Sequence, residues 1–565
     1  MKFGKIQSYN SSKKIGYIIS DSDETKIFFR KSDTNKPFNI NDKVLYEESE
    51  NSLGKIALKI NILNSNEEQK EESAIIEKLE TKSKKNQNSK AVITSISDNW
   101  KLEAKLETQK NYFYHLEEAN QILNKNKYYV IGRKGSGKSS ISEYILGLKN
   151  FETHCEKLSF KNFPFNDLYD LDNKKFTAPN QYITLWKYLI YSTVAKLMAV
   201  NQQIDSTVRS KLSEIYTPDP IKSLSRTISS WTSAEFGATI LGTGGNFKLG
   251  KDVQTQTINW IERVNALEDI IMNYCDQSTY FIIFDELDED YRTIKSEEHS
   301  QYNYLLTSLF KAVQDIKYTF SSTKINLCPI VFLRDDIYSL IRDSDKNKWR
   351  DFKIEIEWNS EKIKKLIAYR ISKDANSETI LNFQTAWDLI FQNTELKAGN
   401  RQTVTVNLFD YIARSTHLRP RDFIRYFQVC SEETINRNAS KISNDTVKFV
   451  DRAFSNYLKD EIVDELTPLL PDIEEIFQII SNLRKQAFTI EEFKNEYTKY
   501  LVSKTVLEEN IDFVLDVLFK FSVLGNQNKK KADVLYFKYM QTNMNLNRNE
   551  NLVVHRGLFK ALQII

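Results

Sequence analysis

Cysteine, proline, glycine and histidine are all scarce in this 565-residue chain, which holds four, nine, fifteen and five of them. Cys155, Cys275, Cys328 and Cys430 lie far apart and form no C-x-x-C pair. That argues against a disulfide framework or a zinc site and fits a reducing compartment. Few Gly and Pro leave few breaks in regular structure, so the chain is expected to be rich in helices. No apolar run approaches the ~20 residues of a membrane helix. The opening Met1-Lys2-Phe3-Gly4-Lys5-Ile6 lacks the apolar core of a secretory signal. A cytoplasmic protein with no membrane partner is the expectation. Charge of one sign is not in excess either: 79 basic and 76 acidic residues leave a net charge of +3, so any basic surface has to be local. The length predicts about three or four domains.

What is present is concentrated first in Lys127–Glu143. Tyr128-Tyr129-Val130-Ile131 reads as a buried strand, and Ser139 to Leu148 has helical spacing of apolar residues. Between them Gly132-Arg133-Lys134-Gly135-Ser136-Gly137-Lys138-Ser139 fits the P-loop pattern G-x-x-x-x-G-K-[ST] at each fixed position. Glycines let such a loop curl until its N–H groups face phosphate oxygens, and the helix start adds partial positive charge. Residues 132–140, ending in Ser140, are thus the candidate cradle for ATP. Lys138 would reach the β/γ-phosphates and Ser139 would hold Mg²⁺.

A second stretch supports the first. Thr279–Asp290 opens as a continuous apolar strand that ends in Asp285-Glu286, the composition of a Walker B motif. Asp285 is the second candidate Mg²⁺ ligand and Glu286 the candidate catalytic residue that polarises water. The two motifs lie 147 residues apart, so an insertion around 155–255 is expected. A further strand, Lys324–Leu333, ends at Arg334. Arg334 is read as a catalytic sensor of phosphate, against the alternative that it merely pairs with a neighbouring carboxylate. Downstream, Arg419-Pro420-Arg421-Asp422 opens a helix, with Pro420 in its first turn. Arg419, Arg421 and Arg425 either reach back to the nucleotide or form a solvated face.

Residues 1–62 alternate five β-rich runs with turns, which suggests a small barrel. Gly4-Lys5-Ile6-Gln7-Ser8-Tyr9-Asn10, Lys13–Ile18 and Ile27–Lys31 resemble the opening and the two RNA-binding motifs of a cold-shock domain, an OB-type barrel. The resemblance implies binding of single-stranded RNA or DNA through Tyr9, Lys14, Tyr17, Phe28, Arg30 and Lys31. Ser8 stands where the family has tryptophan, so its platform is thinned. The alternative is a barrel kept for docking to protein. Residues 63–95 follow, rich in Glu, Lys, Asn, Gln and Ser, a composition that cannot bury enough apolar surface to order itself. They are expected to tether the barrel flexibly.

Residues 466–565 give three helical segments (473–484, 489–501, 511–524) and two strands (534–539, 551–555). That order predicts a winged helix, used for protein contacts because its third helix, 513–521, is apolar. From the P-loop onward the chain resembles bacterial P-loop ATPases near the KAP and STAND groups, within the AAA-related ASCE class. The resemblance rests on Leu287-Asp288, Phe332–Asp336, Trp358 and Arg419–Asp422. It implies a multidomain α/β ATPase with core 96–375, helical lid 376–465, homo-oligomers and a role as a regulator, in some relatives in antiviral defence, with a separate effector protein. An arginine finger from a neighbouring subunit, Arg342 or Arg350, is a further expectation. Less favoured readings are a nucleotide-gated scaffold with negligible turnover and a nucleic-acid motor.

Overall fold

The structure is a computed structural model. It describes residues 2–34, 37–51, 54–62, 89–107, 112–216, 223–239, 260–290, 297–399, 403–541 and 543–564, apart from residues 162, 164, 174, 178, 179, 234, 235, 237 and 238. Most of the expected tether, and residues 217–222 and 240–259 of the expected insertion, lie outside these residues.

Strands β1 (Lys2–Asn10), β2 (Ile15–Ser20), β3 (Lys26–Arg30), β4 (Lys43–Asn51) and β5 (Gly54–Ile62) close into a barrel in the order β1-β2-β3-β5-β4. Alternation along them sends Ile6, Ile18, Ile27, Phe29, Val44 and Ile60 into a core of its own. A bulge between Ile6 and Ser8 resets the pairing of β1 with β2, so Tyr9 falls opposite Gly16 and faces inward.

The second sheet is parallel, with β6 (Tyr129–Gly132), β7 (Thr153–Ser159), β8 (Thr279–Asp285), β9 (Asn326–Arg334) and β10 (Lys353–Glu355) in the order β10-β6-β9-β8-β7. All five strands run the same way, so the residues that end them share one edge. Register sets Gly132 beside Arg334 and Ser159 beside Asp285. One strand, β9, separates the P-loop strand from the acidic one. β7 is the sheet's edge strand, so the insertion begins after Ser159 and not at 155.

Helices cover the sheet because its strands are apolar on both faces. The principal ones, in chain order, are α1 (Ser89–Asn99), α2 (Lys138–Leu146), α3 (Ile183–Val200), α4 (Trp260–Tyr274), α5 (Glu297–Thr319), α6 (Ser360–Asp374), α7 (Phe383–Ile390), α8 (Pro420–Asn436) and α9 (Asn444–Leu466). α3 is buried on almost every side, between β7, α4 and α5. β11 (Glu395–Ala398) and β12 (Val404–Asn407) form a hairpin inside the lid.

α1 corrects the expected tether. Val92, Ile93 and Ile96 are buried, Trp100 stacks on Phe427 at 5.8 Å, and Trp100 donates its indole N–H to Asp374 at 2.7 Å. Residues 89–100 therefore pack on α6, at the end of the expected core, and on the lid helices α7 and α8.

The last unit holds α10 (Ile473–Leu483), α11 (Ile490–Val502), α12 (Ile511–Lys520) and an antiparallel sheet of β13 (Ala487–Phe488), β14 (Leu524–Gln527), β15 (Leu535–Tyr536) and β16 (Asn551–Val554) in the order β13-β16-β14-β15. The helix expected to reach Leu524 ends at Lys520. Ser522, at φ +59°, turns the chain into β14 instead. One continuous apolar core runs from Val92 to Ile564 through the parallel sheet, the lid and this unit. No described helix is long and apolar enough to cross a membrane.

Candidate functional site

The site is built at the sheet edge where β6, β9, β8 and β7 end, the position where open parallel sheets bind ligands. β6 delivers Gly132 into the loop. Gly135 (φ +76°) and Gly137 (φ +96°) take left-handed backbone, and α2 starts at Lys138 directly after. A Cβ at Gly137 would meet nothing within 4 Å, so the loop's mouth is open there. Ser136 Oγ is buried without a hydrogen-bond partner, and its carbonyl accepts from the Trp358 indole at 2.8 Å. Lys138 Nζ donates to the carbonyls of Gly132 and Arg133 at 2.9 and 3.0 Å. Burial holds its pKa below the usual lysine range, with Asp288 pulling the other way.

Across the edge, Asp285 is 3 % exposed and its carboxylate pairs with Lys157 of β7 at 2.8 Å; Lys157 also pairs with Glu143 of α2 at 2.9 Å. Glu286 sits at φ +60°. Its carboxylate receives Lys105 Nζ at 2.9 and 3.2 Å and the Ser159 hydroxyl. Burial raises its pKa, and the Ser159 and Lys105 contacts outweigh that, leaving it below the usual range. Lys105, Lys157 and Ser159 were missed in the sequence. Only Ser159 and Lys157 carry a signal, since they end a strand preceding the acidic one.

The arginines are already engaged. Arg334 makes a bidentate pair with Asp336 (3.0 and 2.7 Å) and reaches Asp288 at 3.4 Å. That is the carboxylate pairing set against its sensor role. Arg419 is 2 % exposed and pairs with Asp422 (3.0 Å) and Glu465 (2.9 Å). These carboxylates outweigh burial and raise its pKa. Arg421 pairs with Glu461 at 3.3 Å, and Arg425 with Glu432 at 3.7 Å. Arg419 and Arg421 are therefore not a solvated face: they hold the lid on the loop. Arg421 Cβ would stand 3.2 Å from a Cβ at Gly135, Lys134 pairs with Glu461 at 3.6 Å, and Arg133 donates to the His417 carbonyl at 2.9 Å. Ser139 and Ser140 lie half-buried in the first turn of α2. Arg342 and Arg350 are exposed.

A cleft of about 1200 Å³ opens beside the loop, between Gly132–Lys134, Arg334–Asp336, Trp358 and, from the last unit, Lys520, Lys538 and Tyr539. It is larger than a nucleotide-sized ligand requires. An orphaned buried hydroxyl at Ser136, open space over Gly137 and hard oxygen donors at Ser139 and Asp285 fit a nucleoside triphosphate with Mg²⁺.

The barrel's candidate residues do not form one face. Tyr9 packs edge-on to Phe38 at 4.9 Å and near Phe29, against the barrel core, so it is not a platform ring. Lys14, Arg30 and Lys31 are exposed. Tyr17 and Phe28 are cross-strand neighbours on the outer face, but Phe28 is only 5 % exposed because it stacks on Phe151 of the parallel-sheet unit at 3.7 Å.

Residues 361–463 match the family described as FunZ-associated C-terminal helical domain, a stretch that covers the lid helices. No curated protein matches the chain. Among solved structures, it aligns with the Aeropyrum pernix ORC2 protein in its ADPNP and ADP complexes at 10% identity and TM-score 0.36, over 81% of this chain and 90% of that one. It also aligns with the Aeropyrum pernix ORC1 protein in complex with DNA (9%, 0.32, 79% and 91%) and with Cdc6p from Pyrobaculum aerophilum (11%, 0.27, 79% and 89%).

Proposed function

We propose that this chain is an ATP-binding and ATP-hydrolysing regulator of the ASCE class. The observation that carries the reading is the open glycine loop at Gly132–Ser139, set on one sheet edge with Asp285 and Glu286 across one intervening strand. Ser139 and Asp285 would hold Mg²⁺, which supplies Lewis-acid neutralisation of phosphate charge. The loop's N–H groups and Lys138 bind and orient the phosphates; Lys138 leaves its two carbonyls to do so. Glu286 polarises the attacking water once Lys105 or Ser159 gives way. The lid residues Arg419 and Arg421 press on Gly135, so nucleotide occupancy is felt in α8. The last unit is read as a winged helix, and the barrel as a gate that takes single-stranded nucleic acid.

One observation favours a second reading, a nucleotide-gated scaffold: Asp285, Glu286 and Arg334 are each held in an ion pair in this state. ATP binding and steady-state hydrolysis of the full chain, Lys138→Ala and Glu286→Gln separate them. Glu286→Gln should keep ATP and lose turnover by about a hundredfold or more, while Lys138→Ala loses binding. Tight ATP binding without turnover in the parent chain selects the scaffold. ATP binding unaffected by Lys138→Ala sinks both.

A further inference from the structure

The barrel's outer face is already occupied. Phe28 lies outside the barrel core, yet is buried against Phe151, ring on ring at 3.7 Å and 21°. Beside it Lys26 Nζ, which also lies over the Tyr17 ring, reaches the Glu152 carboxylate at 3.6 Å. The Tyr17 hydroxyl is buried without a hydrogen-bond partner. Lys13 Nζ reaches the Gln203 carbonyl at 3.5 Å, and Gln203 in turn donates its amide to the Phe151 carbonyl at 2.8 Å. A Cβ at Gly54 would come 3.0 Å from the Lys149 carbonyl oxygen, so the two backbones touch there.

Phe151-Glu152 thus offers the barrel a flat ring followed by an anion, the two features by which a single strand is held: bases stack on aromatic rings while phosphates meet lysines. We propose that residues 149–152 and a single-stranded nucleic acid are alternative occupants of this one barrel face, so that the strand binds only when the barrel leaves the parallel-sheet unit. The inference rests on the reading of the barrel as a nucleic-acid binder. The displaced residues matter because they join the end of α2, the P-loop helix, to β7, which carries Lys157 and Ser159 to Asp285 and Glu286.

The test uses the full chain and fluorescent oligo(dT) and oligo(U) of about twelve nucleotides, a length suited to one OB-type barrel, read by anisotropy. Phe151→Asp and the milder Glu152→Arg, both outside the barrel and the nucleotide site, should bind about tenfold tighter or better. Adding Phe28→Ala to either should abolish the gain. Equal affinity in the parent chain and both variants overturns the competition and leaves the barrel a nucleic-acid binder. No binding by any form overturns that reading with it, while ATP binding, measured on the same samples, reports on the nucleotide site separately.

Discussion

The barrel and the last hundred residues are joined to the parallel-sheet unit by different physics. The last unit and the lid share one apolar core with the sheet, and their junction buries Arg419, His417 and His555. Among the described residues the barrel keeps a separate core and touches its neighbour through the Phe28–Phe151 ring pair, the exposed Lys26–Glu152 ion pair, the Lys13–Gln203 contact and the close approach of Gly54 to Lys149. An element that shares a core cannot leave without unfolding it, whereas one with its own core can detach whole. The comparison marks the barrel as the part able to detach whole and the lid as the part bound into the shared core.

The largest expected effect tests the fixed side. Arg419→Ala strands the fully buried Asp422 and the neighbouring Glu465, and should cost about 3–5 kcal/mol in urea unfolding monitored by tryptophan fluorescence. A loss under about 1 kcal/mol would erase the contrast.

Next comes pH. His417 and His555 meet at 4.5 Å across the lid junction. Burial, then its neighbours His555, Arg419 and Arg133, hold the His417 pKa well below normal; burial and Arg419 push His555 to about 3. The unfolded chain takes up these protons near pH 6.5 and the folded one does not. Stability is therefore full above about pH 6.5 and falls below it, by up to about 1.4 kcal/mol per pH unit per histidine. Melting temperature from pH 7 to 5.5 should show the slope, and His555→Gln should flatten it. Residues 1–62 contain no histidine, so barrel docking should not follow this slope; a shared slope would break the comparison.

The smallest effect sharpens the mobile side. Lys26 and Glu152 are 49% and 44% exposed, and Lys26→Ala should change stability by no more than about 0.5 kcal/mol. A cost well above that would mean the barrel is anchored, not docked.

Sequence order explains what could be read beforehand. The P-loop and the acidic strand were legible because each is a contiguous pattern of strand, turn and helix or strand and carboxylate. Their partners were not: Lys105 and Ser159 meet Glu286 from 181 and 127 positions away, Ser159 through sheet order and Lys105 through the turn Ala104–Leu106 packed on α2. The two readings left open for Arg334 and for Arg419 could not be separated in the sequence for another reason. Asp336 and Asp422, two and three positions on, were in view, but pairing depends on the turn that each helix start imposes. α1 had its signal in Val92, Ile93, Ile96 and Trp100, masked by the polar run before it. Tyr9 was misplaced because one bulge inverts the facing of every residue beyond it.

Glu286 occupies left-handed backbone that suits glycine or asparagine, at a cost of roughly 1–2 kcal/mol. Glu286→Gly would relieve that backbone strain while removing the carboxylate and its contacts with Lys105 and Ser159. If Glu286 polarises water as proposed, its strained backbone is kept for that role, and a library selected for thermal tolerance alone should drift away from glutamate at this position.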